Sequence, residues 1–341
     1  MNPEFYNQIW YVLVGVLLTG YAVLDGFDLG VGGLHLLARG DTERRIFFNS
    51  IGPFWDGNQV WLVTGGGALF AAFPHVYATA FSGFYVAFIL LLFTLIFRGV
   101  SIHVRSLRPG SKWRGFWDGA FSVSSLLASL LIGVALGNVA WGVPVQENFL
   151  YQGDLFAQIH PYTVLTGLLV VAMFLMHGAI YLVLKTEGEL NARVRTWVRP
   201  SIIAFVILYV VTTMATLLYL PHMTEPFRNH PVLFLVPALT VLAIANIPRE
   251  IHHEREFRAF LSSSVAMALM LALFGIGMFP ELIHARPDPS LSMDIYNASS
   301  SQLTLKTMLI MAAIGMPLVL AYTFHIYRVF QGKVKLDSMS Y

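Results

Sequence analysis

The chain has no cysteine among its 341 residues. Disulfides, thiolate metal sites and Cys-ligated iron–sulfur clusters are therefore excluded, and a redox cofactor would need His or Met ligands or a partner chain. Charge is scarce as well. Asp, Glu, Lys and Arg make up 12% of the residues, against about 25% in a soluble domain. No Lys or Arg precedes the first apolar run in MNPEFYNQIW, and no small-residue cleavage site follows a short apolar core. The N-terminal segment thus reads as a retained helix and not a secretory signal. The formal charge is +2, yet the basic residues form no single patch, so nucleic acid is not indicated.

What the chain does have is apolar length. It is 56% hydrophobic with a mean hydropathy of +0.66, which predicts an all-α, polytopic integral membrane protein. Windows of about 20 residues, the length that crosses a bilayer, fall on residues 9–36, 53–73, 76–98, 118–140, 161–184, 200–220, 231–247, 259–281 and 303–328. The second is the least apolar and lies between Pro53 and Pro74; the seventh is short and broken by Pro237. Nine transmembrane helices put the termini on opposite sides. Of the 21 basic residues, 17 follow alternate spans: residues 39–45 after the first, 105–114 after the third, 185–199 after the fifth, 249–258 after the seventh and 328–335 after the ninth. By the positive-inside rule the N-terminus is then outside and the C-terminus cytoplasmic. The longest outside connection, residues 141–160, has no Lys or Arg, and no link is long enough for a separate soluble domain.

Ionisable side chains inside the spans are the candidate functional residues, because a carboxylate at mid-helix costs roughly 2.5–3.5 kcal/mol to insert. In GYAVLDGFDLGVGGLH, Asp25 and Asp28 are three apart and share a helix face. Gly26, Gly30, Gly32 and Gly33 around them, and Gly65, Gly66 and Gly67 in span two, suit close helix packing. Asp56 opens span two within PFWDGNQVW, and Arg98 closes span three. Alternating direction places Asp25, Asp28, Asp56 and Arg98 at one depth, near the cytoplasmic side, where acids and polar groups could pair or relay protons. The bland alternative for Asp56 and Arg98 is snorkelling to the headgroups. Of the histidines, His35, His103 and His160 lie near span ends and read as interfacial. His177 alone is near mid-membrane, and without a second His at that depth it reads as a hydrogen-bonding group and not a haem ligand.

The run VLDGFDLGVG, followed by DTERRIFFNSIGPFWDGNQVWLVTGGGALFAAFPHVYATAFSGFYVAFIL ending in Arg98, closely resembles subunit II of the bacterial cytochrome bd quinol oxidases. WRGFWDGAF, IGVALGNVAWGVP, GLLVVAMFLMHGAIYL with TEGEL, and SSSQLTL resemble it too, so the likeness covers nearly the whole chain. It is most specific in the first 140 residues; spans six and seven match in character only. The resemblance implies two four-helix bundles plus one extra helix, here residues 1–140, 141–283 and 284–341, in a bacterial cytoplasmic (inner) membrane. It implies a haem-bearing partner, subunit I, that holds two b-type haems and haem d, oxidises quinol and reduces dioxygen to water. Subunit II of that family carries no haem. Asp25, Asp28 and Asp56, with Trp55 and Arg98 beside them, correspond to its cytoplasmic proton pathway. Some members hold a structural quinone, for which no motif is visible here, and small single-helix accessory subunits and membrane lipids are further partners of such complexes. His177 departs from the family, where a polar uncharged residue can stand. The chain itself is expected to supply neither metal nor haem ligands. The competing functions are a stand-alone proton-coupled transporter, which internal symmetry between halves would favour, and a membrane cytochrome with its own haem, which the histidine inventory opposes.

Overall fold

The computed structural model of the chain describes residues 4–153 and 156–336. Twelve α-helices carry nearly all of it: α1 Glu4–Leu34, α2 Gly40–Ile51, α3 Trp55–Ala72, α4 Pro74–Gly83, α5 Tyr85–Val104, α6 Ser111–Trp141, α7 Pro161–Lys185, α8 Gly188–Tyr219, α9 Pro221–Asn229, α10 Leu235–His252, α11 Glu256–Met278 and α12 Gln302–Val329. Between α11 and α12, β1 (Glu281–Ile283) pairs antiparallel with β2 (Met293–Asp294). The helix limits follow local chemistry. Pro74 and Pro161 occupy first-turn positions, where a missing N–H costs nothing. His160 caps α7 by accepting from the Tyr162 N–H, and Ser301 caps α12 by accepting from the Thr304 N–H. Gly142, at φ 97°, ends α6 in a conformation that a residue with Cβ rarely adopts.

Eight of these helices are long and apolar enough to cross a membrane, and the chain is a multi-pass membrane protein. They match eight of the nine expected spans, with α4 split from α5 at Phe84. The remaining expected span is α3, whose Asp56, Asn58, Gln59 and three consecutive glycines make it the least apolar. Pro237 does not break the seventh span: α10 starts at Leu235, so Pro237 sits in a first turn that has no N–H bond to lose.

Packing centres on α7, of whose membrane-length window 72% is buried, whereas the figure for α12 is 6%. α1 lies between α3, α6, α7 and α11. Lipid is as apolar as leucine, so these helices are joined by close fit and polar bonds and not by expulsion of apolar surface from water. The α1–α7 crossing shows this: a Cβ on Gly30 would collide with the Phe174 carbonyl, and one on Gly178 with the Gly30 backbone. The glycines of α1 thus do what their spacing predicted. In α3 only Gly65 packs inside the chain, against Leu18, while Gly66 and Gly67 face open space.

Cross-links fix which helix ends lie together. At one end, Arg44 and Arg105 meet Asp118, Arg114 meets Asp41, Arg193 meets Glu43, and Arg195 and Lys333 meet Glu256. At the opposite end, Asn7 bonds Ile295 and Ser299, Tyr11 bonds Gly275, Gln158 bonds Gly83, and Ser300 bonds Ala71.

Candidate functional site

Polar groups of α1, α3, α5 and α12 converge inside the bundle toward its arginine-rich end. Arg98 on α5 forks onto Asp25 of α1, with Nη2 2.6 Å from Oδ1 and Nη1 3.0 Å from Oδ2. Its Nη2 also lies 3.9 Å from Asp28 Oδ2. Asp25 and Asp28 are fully buried and Arg98 is 1% exposed. Asn58 of α3 donates from Nδ2 to Asp28 Oδ2 at 2.8 Å and to the Leu24 carbonyl at 3.1 Å. The Tyr327 hydroxyl of α12 in turn donates to Asn58 Oδ1 at 2.9 Å. Arg98 Nε and Asp28 Oδ1 are buried without a hydrogen-bond partner.

The charge count defines what this cluster can do. One guanidinium faces two carboxylates three residues apart, so the fully ionised cluster carries a net charge of −1 in a low-dielectric interior, and one proton makes it neutral. Snorkelling, the alternative for Arg98, does not occur: its side chain turns inward.

Asp56 behaves differently. It is exposed, whereas Asn58, two residues on and therefore nearly opposite around the helix, faces inward. The expected four-residue layer is thus a cluster of Asp25, Asp28 and Arg98 joined by Asn58, with Asp56 on the outer face of α3 beside Gly57 and Val60, both of which are open to solvent or lipid. Trp55 is buried at the start of α3; its ring meets Gly99 edge-on and packs against His103.

A second buried network lies closer to the arginine-rich end, and sequence reasoning missed it. His35, expected at an interface, is fully buried and its Nε2 is 2.7 Å from Asp118 Oδ1. Asp118 also accepts from Arg105 Nε at 2.6 Å and Arg44 Nη1 at 2.8 Å. Arg105 reaches on to Asp41 at 2.8 Å, and Phe47, Phe48 and Phe121 ring the imidazole. An acid at the first turn of an expected span, with a histidine in the last turn of another, was the available signal.

The remaining sites are simpler. His177 uses both ring nitrogens, Nδ1 with Ser263 Oγ at 2.7 Å and Nε2 with the Val23 carbonyl at 3.1 Å, and stacks on Phe260. Ligation of a haem iron would break one of these bonds. Among the described residues no group of three His, Cys, Asp or Glu could hold a metal ion. Toward the end opposite the acids, a cavity of about 480 Å³ opens between α6, α7, α8, α10 and α11 over α9. Its walls are mainly apolar, with Leu169, Val170, Met270 and Phe274. The polar exceptions include the Tyr162–Thr216 hydroxyl pair, 2.9 Å apart, and Thr212, whose hydroxyl is buried and unpartnered. Beside it His222 of α9 stacks on His284 at 4.0 Å and bonds the Ala140 carbonyl at 3.0 Å. Burial first, and then the charge of His284, holds the His222 imidazole down at about 4.

The comparisons agree with one another. The family model described as cytochrome bd terminal oxidase subunit II matches residues 6–330. The cytochrome bd-I ubiquinol oxidase subunit 2 of Escherichia coli (strain K12) is 39% identical over 370 residues, covering 99% of this chain and 98% of its own. The cytochrome bd ubiquinol oxidase subunit 2 of Bacillus subtilis (strain 168) is 32% identical over 330 residues, covering 96% of each. A chain of the solved bd oxidase from Geobacillus thermodenitrificans superposes with a TM-score of 0.80 at 18% identity, covering 96% of this chain and 98% of that one, which is a likeness of fold.

Proposed function

Because the chain belongs to the cytochrome bd terminal oxidase subunit II family, we propose that it is the haem-free half of a quinol:oxygen oxidoreductase and conducts protons from the cytoplasm toward oxygen chemistry in subunit I. The observation that carries this is the buried cluster in which Asp25 and Asp28 share Arg98 and Asn58. Dioxygen reduction consumes protons, and carboxylates can pass them on where amides of the same size can only hydrogen-bond. Arg98 holds one acid by a fixed two-pronged contact, which leaves Asp28, with its free Oδ1, as the exchanging group. In this reading Asp56, exposed at the start of α3, is the outer acid of the route, and Trp55, buried next to it, supports it. The family favours this oxidase reading over the stand-alone transporter.

The finer architecture belongs to the same proposal. We read nine crossings, with the N-terminus outside and the C-terminus in the cytoplasm of a bacterial cell; the contact of Asn58, at the start of α3, with Tyr327, near the end of α12, and of Ala71, at the end of α3, with Ser300, just before α12, supports counting α3 as a crossing antiparallel to α12. We read residues 1–140 and 141–283 as four-helix bundles and 284–341 as the added helix and tail. The apolar outer faces of α10 and α12 suit lipid or single-helix accessory subunits. The 480 Å³ cavity is our choice for a structural quinone, since its apolar walls suit an isoprenoid tail and the unpartnered Thr212 hydroxyl suits a quinone carbonyl. The two b-type haems and haem d are assigned to subunit I.

The test is Asn substitution of single acids. Asp28→Asn or Asp56→Asn should give a complex of normal haem content that turns over slowly. Full activity in both contradicts a relay, and loss of assembled complex assigns these acids to helix pairing instead.

A further inference from the structure

Tyr327 lies where the sequence gives no reason to look, in the last turns of the most peripheral helix. Its surroundings are built with care for its position. The ring stacks on Phe54 at 4.5 Å and 25°, directly before α3, and its hydroxyl enters the acid cluster. The chain beyond it is bolted to the end of α7: Lys185 Nζ donates to the Phe330 carbonyl at 2.7 Å, the Val334 N–H donates to the Lys185 carbonyl at 2.9 Å, and Lys333 Nζ reaches the Val183 carbonyl at 3.0 Å and Glu256 at 2.7 Å. Lys185 Nζ also sits 5.2 Å over the Phe54 ring. These contacts fix the height and rotation of the end of α12, while 6% of its membrane window is buried against the rest of the chain.

The hydrogen-bond inventory of Asn58 says what the fixed hydroxyl does. An amide has two N–H donors and one carbonyl acceptor. Both donors are spent, on Asp28 Oδ2 and the Leu24 carbonyl, and the acceptor takes the Tyr327 O–H. Without that hydroxyl Asn58 Oδ1 is an orphaned acceptor, and an amide that rotates to find another partner takes its N–H off Asp28. We infer that Tyr327 is a positioning residue for proton transfer, acting through Asn58 to hold the amide that donates to the Asp28 carboxylate. The inference rests on Asp28 being a proton carrier. It extends that site to the ninth expected span and gives the anchored C-terminal tail a role: the tail sets the reach of the hydroxyl.

The experiment uses the whole complex with Tyr327→Phe, which keeps the ring and its stack on Phe54, together with Asn58→Ala, the double variant and Asp28→Asn. Haem content, turnover and the pH profile of turnover are measured for each. Tyr327→Phe should assemble with parental haem content, slow turnover about three- to tenfold, and move the pH profile by about half a unit in the direction that Asn58→Ala moves it; in the Asn58→Ala background it should add nothing. Equal losses with and without Asn58 overturn the inference, because the hydroxyl then acts elsewhere. An unchanged pH profile in Tyr327→Phe, or loss of the assembled complex, also overturns it in favour of a structural hydroxyl. If Asp28→Asn slows turnover while Tyr327→Phe does not, the proton route stands and the role of Tyr327 falls. If Asp28→Asn leaves rate and profile untouched, Asp28 is not a proton carrier and the inference falls with it, whether or not Asp56→Asn slows turnover.

Discussion

Removal of Arg98 should be the most damaging single change in the acid cluster, and its cost can be worked from the geometry. The guanidinium is 1% exposed and makes two hydrogen bonds to Asp25, with Asp28 at 3.9 Å. Arg98→Leu strands two carboxylates in a space closed to water, and breaking a buried pair from one side costs about 3–5 kcal/mol. That is a roughly 150- to 5,000-fold shift in a folding equilibrium. Asp25→Leu together with Arg98→Leu removes both charges of the closest pair and leaves Asp28 with Asn58, so the double variant should recover about 2 kcal/mol or more of the single loss. Arg98→Lys keeps the charge but not the fork and should fall between. The assay is the yield of complex in the membrane and the fraction surviving a temperature series after solubilisation. A double variant as weak as the sum of the two singles would refute the pairing argument, and parental stability of Arg98→Leu would refute closure of the site to water.

The other predictions address different levels of the account. Gly30→Ala should lower assembled yield more than Gly66→Ala, because a Cβ at Gly30 meets the Phe174 carbonyl whereas one at Gly66 meets nothing; equal yields would contradict the close crossing. His177→Gln, which retains hydrogen-bonding capacity toward Ser263 and Val23, should leave the haem spectrum of the complex unchanged; loss of one haem band with subunit I intact would assign the iron to this chain. The folded structure holds His222 down to about 4, below the usual imidazole value, so its contribution to docking of α9 is complete above about pH 6.5 and is lost as pH falls toward 4. A spin label at Glu225→Cys should therefore become more mobile between pH 6.5 and 4.5, and His222→Phe should flatten that response; a parental response in His222→Phe would show that another group titrates. A reporter fused after Tyr341 should report cytoplasm and one inserted near Gln152 the outside, and the reverse at either position would break the nine-crossing topology.

Depth was legible in the sequence, and rotation was not. Hydropathy placed eight helices to within a dozen residues at their ends, and the sorting of basic loops agrees with ion pairs that gather at one end of the bundle. Alternating direction likewise put Asp25, Asp28 and Arg98 at one height, and they meet. The same reasoning put Asp56 with them because height says nothing of the angle around α3. Packing of Asn58 against α1 sets that angle and turns Asp56 outward. Tyr327 goes unmarked for a related reason: a tyrosine costs little in an interfacial stretch, so nothing in composition points to it, whereas Asn58 stands out as one of the polar residues that open span two. The His35–Asp118–Arg105 network joins residues up to 83 positions apart from three helices, and only the tertiary fold shows that ends which each looked interfacial close over one another.

Proton uptake by the assembled oxidase is the direct measure of whether this chain conducts or merely supports. With the complex oriented in vesicles, and haem content matched between preparations, uptake from the cytoplasmic side during oxygen reduction should be at least tenfold slower in Asp28→Asn than in the parent, with the haems still reducible by quinol. Parental uptake in Asp28→Asn and Asp56→Asn alike would show that protons reach the haems by another path and that the buried acids only hold helices together.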